Sequence, residues 1–139
     1  MDYQAFLREL ETHALPAEQF NHQAHLQAAW AYRRSYAARE AAARCARTLS
    51  RYAMAKGAPE KYHHTVTLAF LTIIYSRLEQ APAQVMDWNA FVAGNADLLD
   101  DARSLIGQHY SQQKLQDDNA RRRFVAPDLA PLPVSCLTH

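Results

Sequence analysis

Residues 60–79 read EKYHHTVTLAFLTIIYSRLE, and the fold turns on how this stretch is read. Val66, Leu68, Ala69, Phe70, Leu71, Ile73, Ile74 and Leu78 would cover nearly every side of a helix, and the run is too long for a single strand. The pattern predicts a central buried helix from about Glu60 to Glu79, with amphipathic helices assembled around it. The stretch before it agrees. Ser35 to Lys56 is rich in alanine and arginine, and Gly57 followed by Pro59 is a strong stop. Cys45, Leu49, Tyr52 and Ala53 give this helix an apolar side. Arg44, Arg47 and Arg51 share another face, which reads as a solvated basic surface partly paired with Glu40.

Capping residues mark the remaining helices. Asp2 starts a first helix carrying Tyr3, Phe6, Leu7 and Leu10, which ends near His13 before Pro16. Residues 16–20 form a connector, and Asn21 caps a second helix running to about Tyr36, with Leu26, Ala29 and Trp30 as its apolar stripe. Beyond the central helix, Pro82 sits in a loop and Asp87 caps a short helix ending at Gly94. Leu98 to Tyr110 repeat at helical spacing across Gly107, and Ser111 caps a last helix ending near Phe124. The expectation is a single all-α bundle of about five to seven helices over residues 1–126. An extended Pro-rich tail follows over residues 127–139.

Composition supports helices: only three glycines occur in 139 residues. Fifteen Lys and Arg against fourteen Asp and Glu leave a net charge of +1, too little to gather nucleic acid or an anionic membrane. Arg33, Arg34, Arg39, Arg44, Arg47 and Arg51 offer only a local basic patch without helix-turn-helix spacing, so nucleic acid is an unlikely partner. Cys45 and Cys136 are isolated and make neither a disulfide framework nor a zinc knuckle. Asp2, Arg8, Glu9 and Glu11 interrupt the first apolar residues, so no signal peptide is expected, and no run is long enough for a membrane span. The cytoplasm is the default location.

Seven histidines are the chemical signal. His22 and His25, spaced i, i+3, share one face of the second helix, although H-x-x-H alone is weak. His63 and His64 open the buried helix beside Tyr62, Thr65 and Thr67. Adjacent helical residues point about 100° apart, so the two cannot face one point. His63 aligns with Thr67, Phe70 and Ile74, whereas His64 aligns with Leu68, Leu71, Tyr75 and Leu78, and spacing leaves the choice open.

The segments Phe20-Asn21-His22-Gln23-Ala24-His25-Leu26, Tyr62-His63-His64-Thr65-Val66-Thr67 and Phe124-Val125-Ala126-Pro127-Asp128 carry a resemblance. The chain resembles a family of small uncharacterised bacterial helical proteins with the pattern F-x-H-x-x-H-L, Y-H-x-T-x-T and F-V-x-P-D, a family that brings no established activity. The resemblance selects His22, His25, His63, Thr65 and Thr67 and leaves His64 out.

If the second and fourth helices begin at the same end, His22, His25 and His63 converge while His13 and His139 lie elsewhere. Such a trio suits a divalent transition metal (zinc, iron, copper or nickel), with Glu18, Asp100 and Asp101 as possible carboxylate partners. Thr67 and Tyr62 would line the same pocket, with Tyr32 as a further hydrogen-bonding neighbour. The functional expectation is a histidine-lined polar pocket for a metal or small molecule, with or without acid–base chemistry. The alternative is a protein-interaction or homodimerisation module whose histidines are structural. No nucleophile motif, phosphate-binding glycine loop, dinucleotide fingerprint or H-E-x-x-H occurs, so no reaction class is assigned.

Overall fold

A computed structural model of the chain describes residues 2–133; the expectations for Cys136, His139 and the last part of the tail lie outside them. The described residues form nine α-helices, short 3-10 turns and no strand, so the protein is all-α. No helix among them is long and apolar enough to cross a membrane. The chain divides into two compact units, residues 1–62 and 63–139.

Three helices build the first unit: α1 (Tyr3–Glu11), α2 (His22–Ser35) and α3 (Ala38–Ala55). Asp2 accepts from the Ala5 amide at 3.0 Å and Asn21 from the Ala24 amide at 2.9 Å, satisfying amides that have no partner within the first helical turn. Each helix packs against the other two. Leu7, Leu10, Leu26, Trp30, Leu49 and Tyr52 are buried, and much of the rest of the core is alanine from α2 and α3. Two left-handed residues stop helices here. Gly57, at φ +73°, follows α3 and carries no penalty, whereas His13, at φ +65°, follows α1 in a conformation that side chains disfavour.

The second unit is organised on α4 (His64–Gln80), which buries Thr65, Ala69, Leu71, Ile73, Ile74, Tyr75 and Leu78. Burial of the consecutive residues 71–76 means that α4 is enclosed all round its middle, as its apolar run implies. It begins later than Glu60, because Pro59–Lys61 forms a 3-10 turn and His63 is the cap. Short helices follow: α5 (Trp88–Gly94), α6 (Ala96–Asp100), α7 (Ala102–Gly107), α8 (Gln112–Gln116) and α9 (Asp118–Arg122). Nine helices replace the expected five to seven partly because Asp101 (φ −138°) and Asp117 (ψ +130°) leave helical geometry, splitting two runs read as continuous.

Asp87 and Ser111 cap α5 and α8 through their side chains as the sequence implies. Arg77 on α4 grips Asp97 with two hydrogen bonds of 2.7 and 2.8 Å. The segment after α9 is pinned down. The Thr65 hydroxyl donates to the Arg123 carbonyl at 2.7 Å, and Tyr110 donates to the Val125 carbonyl at 2.6 Å. Farther on, Asp128 accepts from the Ser111 amide and hydroxyl at 2.8 and 2.6 Å, and the Leu129 amide donates to His109. The tail residues described, to Pro133, are non-helical.

Candidate functional site

His22 and His25 belong to the first unit and His63 to the second. His22 is the first residue of α2 and is exposed. His25, one turn later, donates from Nδ1 to the Asn21 carbonyl at 2.8 Å and stacks on Phe20 with ring centroids 4.0 Å apart. Burial holds its pKa below the ordinary histidine value, so at neutral pH the ring is uncharged and its Nδ1 proton is engaged.

His63 is the N-cap of α4. Its Nδ1 accepts from the Val66 amide at 3.2 Å and its Nε2 donates to the Leu115 carbonyl at 2.8 Å. These bonds define the tautomer and use both ring nitrogens, so a metal would have to displace one of them. Thr67 donates back to the His63 carbonyl at 2.8 Å, a bond within its own helical turn. Tyr62 is half-buried at the end of the first unit, and His64 opens α4 with its pKa lowered by burial and by His63. Glu18, Asp100 and Asp101 are exposed. Among the described residues, no group of three or more His, Cys, Asp or Glu side chains is placed to hold a metal ion.

The first unit contains a different polar concavity. A cleft of about 200 Å³ is lined by Glu11, His13, Arg44, Arg47, Thr48 and Arg51. Local structure explains the set. Arg44, Arg47, Thr48 and Arg51 fall at i, i+3, i+4 and i+7 on α3 and therefore share a face, opposite the buried Ala42, Cys45, Ala46 and Leu49. The end of α1, which packs on α3, supplies Glu11, and the left-handed turn after it supplies His13. The His13 ring meets Tyr52 edge-on with centroids 6.5 Å apart.

Beneath the cleft lies Tyr32, only 1% exposed. Its hydroxyl donates to Glu11 Oε2 at 3.0 Å and lies 2.7 Å from Thr48 Oγ1. A phenol has one proton to give, so Thr48 is the donor in the second bond and a directed chain runs from Thr48 through Tyr32 to Glu11. Burial raises the Tyr32 pKa far above that of an ordinary phenol, and the ring remains neutral. Arg44 is held by Glu40 at 2.9 Å and lies 4.2 Å from the centre of the Tyr36 ring. Arg47 and Arg51 make no ion pair among the described residues. Among the described residues, the cleft is thus lined by three arginines and a histidine against one carboxylate.

The sequence places Arg44, Arg47 and Arg51 on one solvated face partly paired with Glu40, and all three are exposed, with Arg44 on Glu40; what it does not show is that this face lines a cleft together with His13. The available signal was Thr48 among those arginines. The missing piece was a contact between α1 and α3, which no local pattern encodes. No family model, curated protein or solved structure matches the chain, so the chemistry rests on its own residues.

Proposed function

We propose that the protein is a binding protein for a small anionic molecule, held in the cleft between the end of α1 and the basic face of α3. The observation that carries this reading is the surplus of guanidinium groups in one concavity, with Arg47 and Arg51 in no ion pair among the described residues. Guanidinium presents a planar fork of donors that matches carboxylate and phosphate oxygens, and a bound anion would relieve the repulsion among neighbouring arginines. The balanced net charge of +1 favours a small ligand over nucleic acid, and the reading fits a cytoplasmic protein without membrane attachment. Metal binding through His22, His25 and His63 draws less support, because capping and tying the chain already employ both nitrogens of His63.

Titration calorimetry at low salt with inorganic phosphate and with succinate tests the proposal. At least one of the two anions should bind wild-type protein. Arg47→Ala and Arg51→Ala should each weaken binding about tenfold, the loss of one charge-assisted hydrogen bond in a partly solvated site. His22→Gln and His25→Gln should leave it unchanged. Absence of binding by both anions at millimolar concentration, or equal binding by the arginine variants, refutes the proposal.

A further inference from the structure

Glu11 is an odd member of an anion site, since its carboxylate opposes the ligand that the arginines attract. Its hydrogen bonding gives it a use. Oε2 accepts from Tyr32, whereas Oε1 has no hydrogen bond among the described residues, and Glu11 lines the cleft. Thr48, which also lines the cleft, spends its proton on Tyr32, so its oxygen has only acceptor capacity left. The floor formed by Glu11 and Thr48 therefore accepts hydrogen bonds, while Arg44, Arg47 and Arg51 donate them. A ligand satisfying both parts needs an anionic group at one end and a hydroxyl or ammonium donor at the other.

Donor number distinguishes among anions. Three guanidiniums offer more N–H groups than the two oxygens of a carboxylate accept, whereas the three terminal oxygens of a phosphate monoester can engage several forks at once. Size narrows the organic part. At about 200 Å³ the cleft falls below the roughly 300–1,000 Å³ of sites for drug-sized ligands. Resting on the anion-binding reading above, we infer that the ligand is a small phosphate monoester of a polyol or amino alcohol, with its phosphate on Arg47 and Arg51 and its hydroxyl or ammonium group on Glu11.

The test compares glycerol phosphate, ethyl phosphate and succinate by calorimetry on the full chain and on Glu11→Ala and Glu11→Gln. Glycerol phosphate should bind wild type about tenfold tighter than ethyl phosphate, which lacks the donor, and tighter than succinate. Glu11→Ala should erase the preference for glycerol phosphate while leaving ethyl phosphate bound as well or better, because a repelling carboxylate is gone. Glu11→Gln, which keeps an acceptor for Tyr32, should reduce the preference without disturbing the fold, as its melting curve would report. Equal affinity for the two esters in wild type, a preference that survives Glu11→Ala, or succinate binding best would each overturn this inference while leaving anion binding intact. Failure of all three compounds to bind wild type would overturn this inference, and failure of inorganic phosphate as well would overturn both.

Discussion

Replacing His63 with alanine isolates the work done by the histidine that the sequence pattern singles out. In the folded protein its Nδ1 caps α4 through the Val66 amide at 3.2 Å, and its Nε2 reaches the Leu115 carbonyl at 2.8 Å, 52 residues along the chain. Loss of a side-chain cap costs about 1 kcal/mol. Loss of the second bond costs about 1 kcal/mol more, because Leu115 is half-buried and water replaces the imidazole only in part. The expected destabilisation is about 2 kcal/mol, or a fall of about 6 °C in melting temperature for a chain of this size. His63→Asn should recover roughly the first half, since asparagine caps well but is too short to reach Leu115. Urea unfolding followed by circular dichroism measures both variants, and nitrogen NMR of the imidazole should find the proton on Nε2. A His63→Ala protein within about 0.5 kcal/mol of wild type, well below the cap and tie combined, would show that neither bond matters in solution and would return His63 to the list of ligand residues.

His13→Gly should stabilise the protein by about 0.5 kcal/mol: it relieves a left-handed backbone worth about 1 kcal/mol, offset in part by the greater freedom of glycine in the unfolded chain. The same change should weaken phosphate binding in calorimetry, and a variant less stable than wild type, or one that binds phosphate as tightly, would contradict it. Asp97→Asn should cost no more than about 1 kcal/mol at pH 7, because its pair with Arg77 is ideal in shape but has side chains 31% and 44% exposed. Arg77 holds the Asp97 pKa below its ordinary value, so the contribution is complete above the unfolded aspartate pKa of about 4 and disappears as pH falls through the lower folded value. Urea titrations of wild type and variant should therefore converge once the pH has fallen through that lower value, and a gap that persists in strong acid would exclude this origin.

The parts of the fold that the sequence made legible are those governed by local chemistry. Asp2, Asn21, Asp87 and Ser111 were readable as caps because a short polar side chain ahead of an apolar repeat has one obvious use, and each makes the expected bond. The start of α4 was misread because histidine is an uncommon cap, and His63 continues the apolar stripe of the helix it precedes. Asp101 and Asp117 break their helices in the middle of apolar repeats, where periodicity favours continuation. The arginine face was visible from spacing alone. Its closure into a cleft depends on α1 lying beside α3: the end of α1 near His13 is legible in the sequence, whereas its packing on α3 is a tertiary contact that no local pattern encodes.

The three arginines are unequal, and the difference bears on how the cleft would work. Arg44 is fixed from two sides, by Glu40 on the preceding turn and by the face of Tyr36, so its guanidinium has little freedom left to lose when a ligand arrives. Arg47 and Arg51 have no such restraint, and their charge is not answered by any carboxylate pair among the described residues. A ligand would meet one preset fork and two adaptable ones, all carried on the rigid face of a single helix of 18 residues. The buried chain from Thr48 through Tyr32 fixes Glu11, the only carboxylate lining the cleft among the described residues. Ordering therefore falls mainly on Arg47 and Arg51, and these positions should show the largest changes in side-chain NMR signals when phosphate is added.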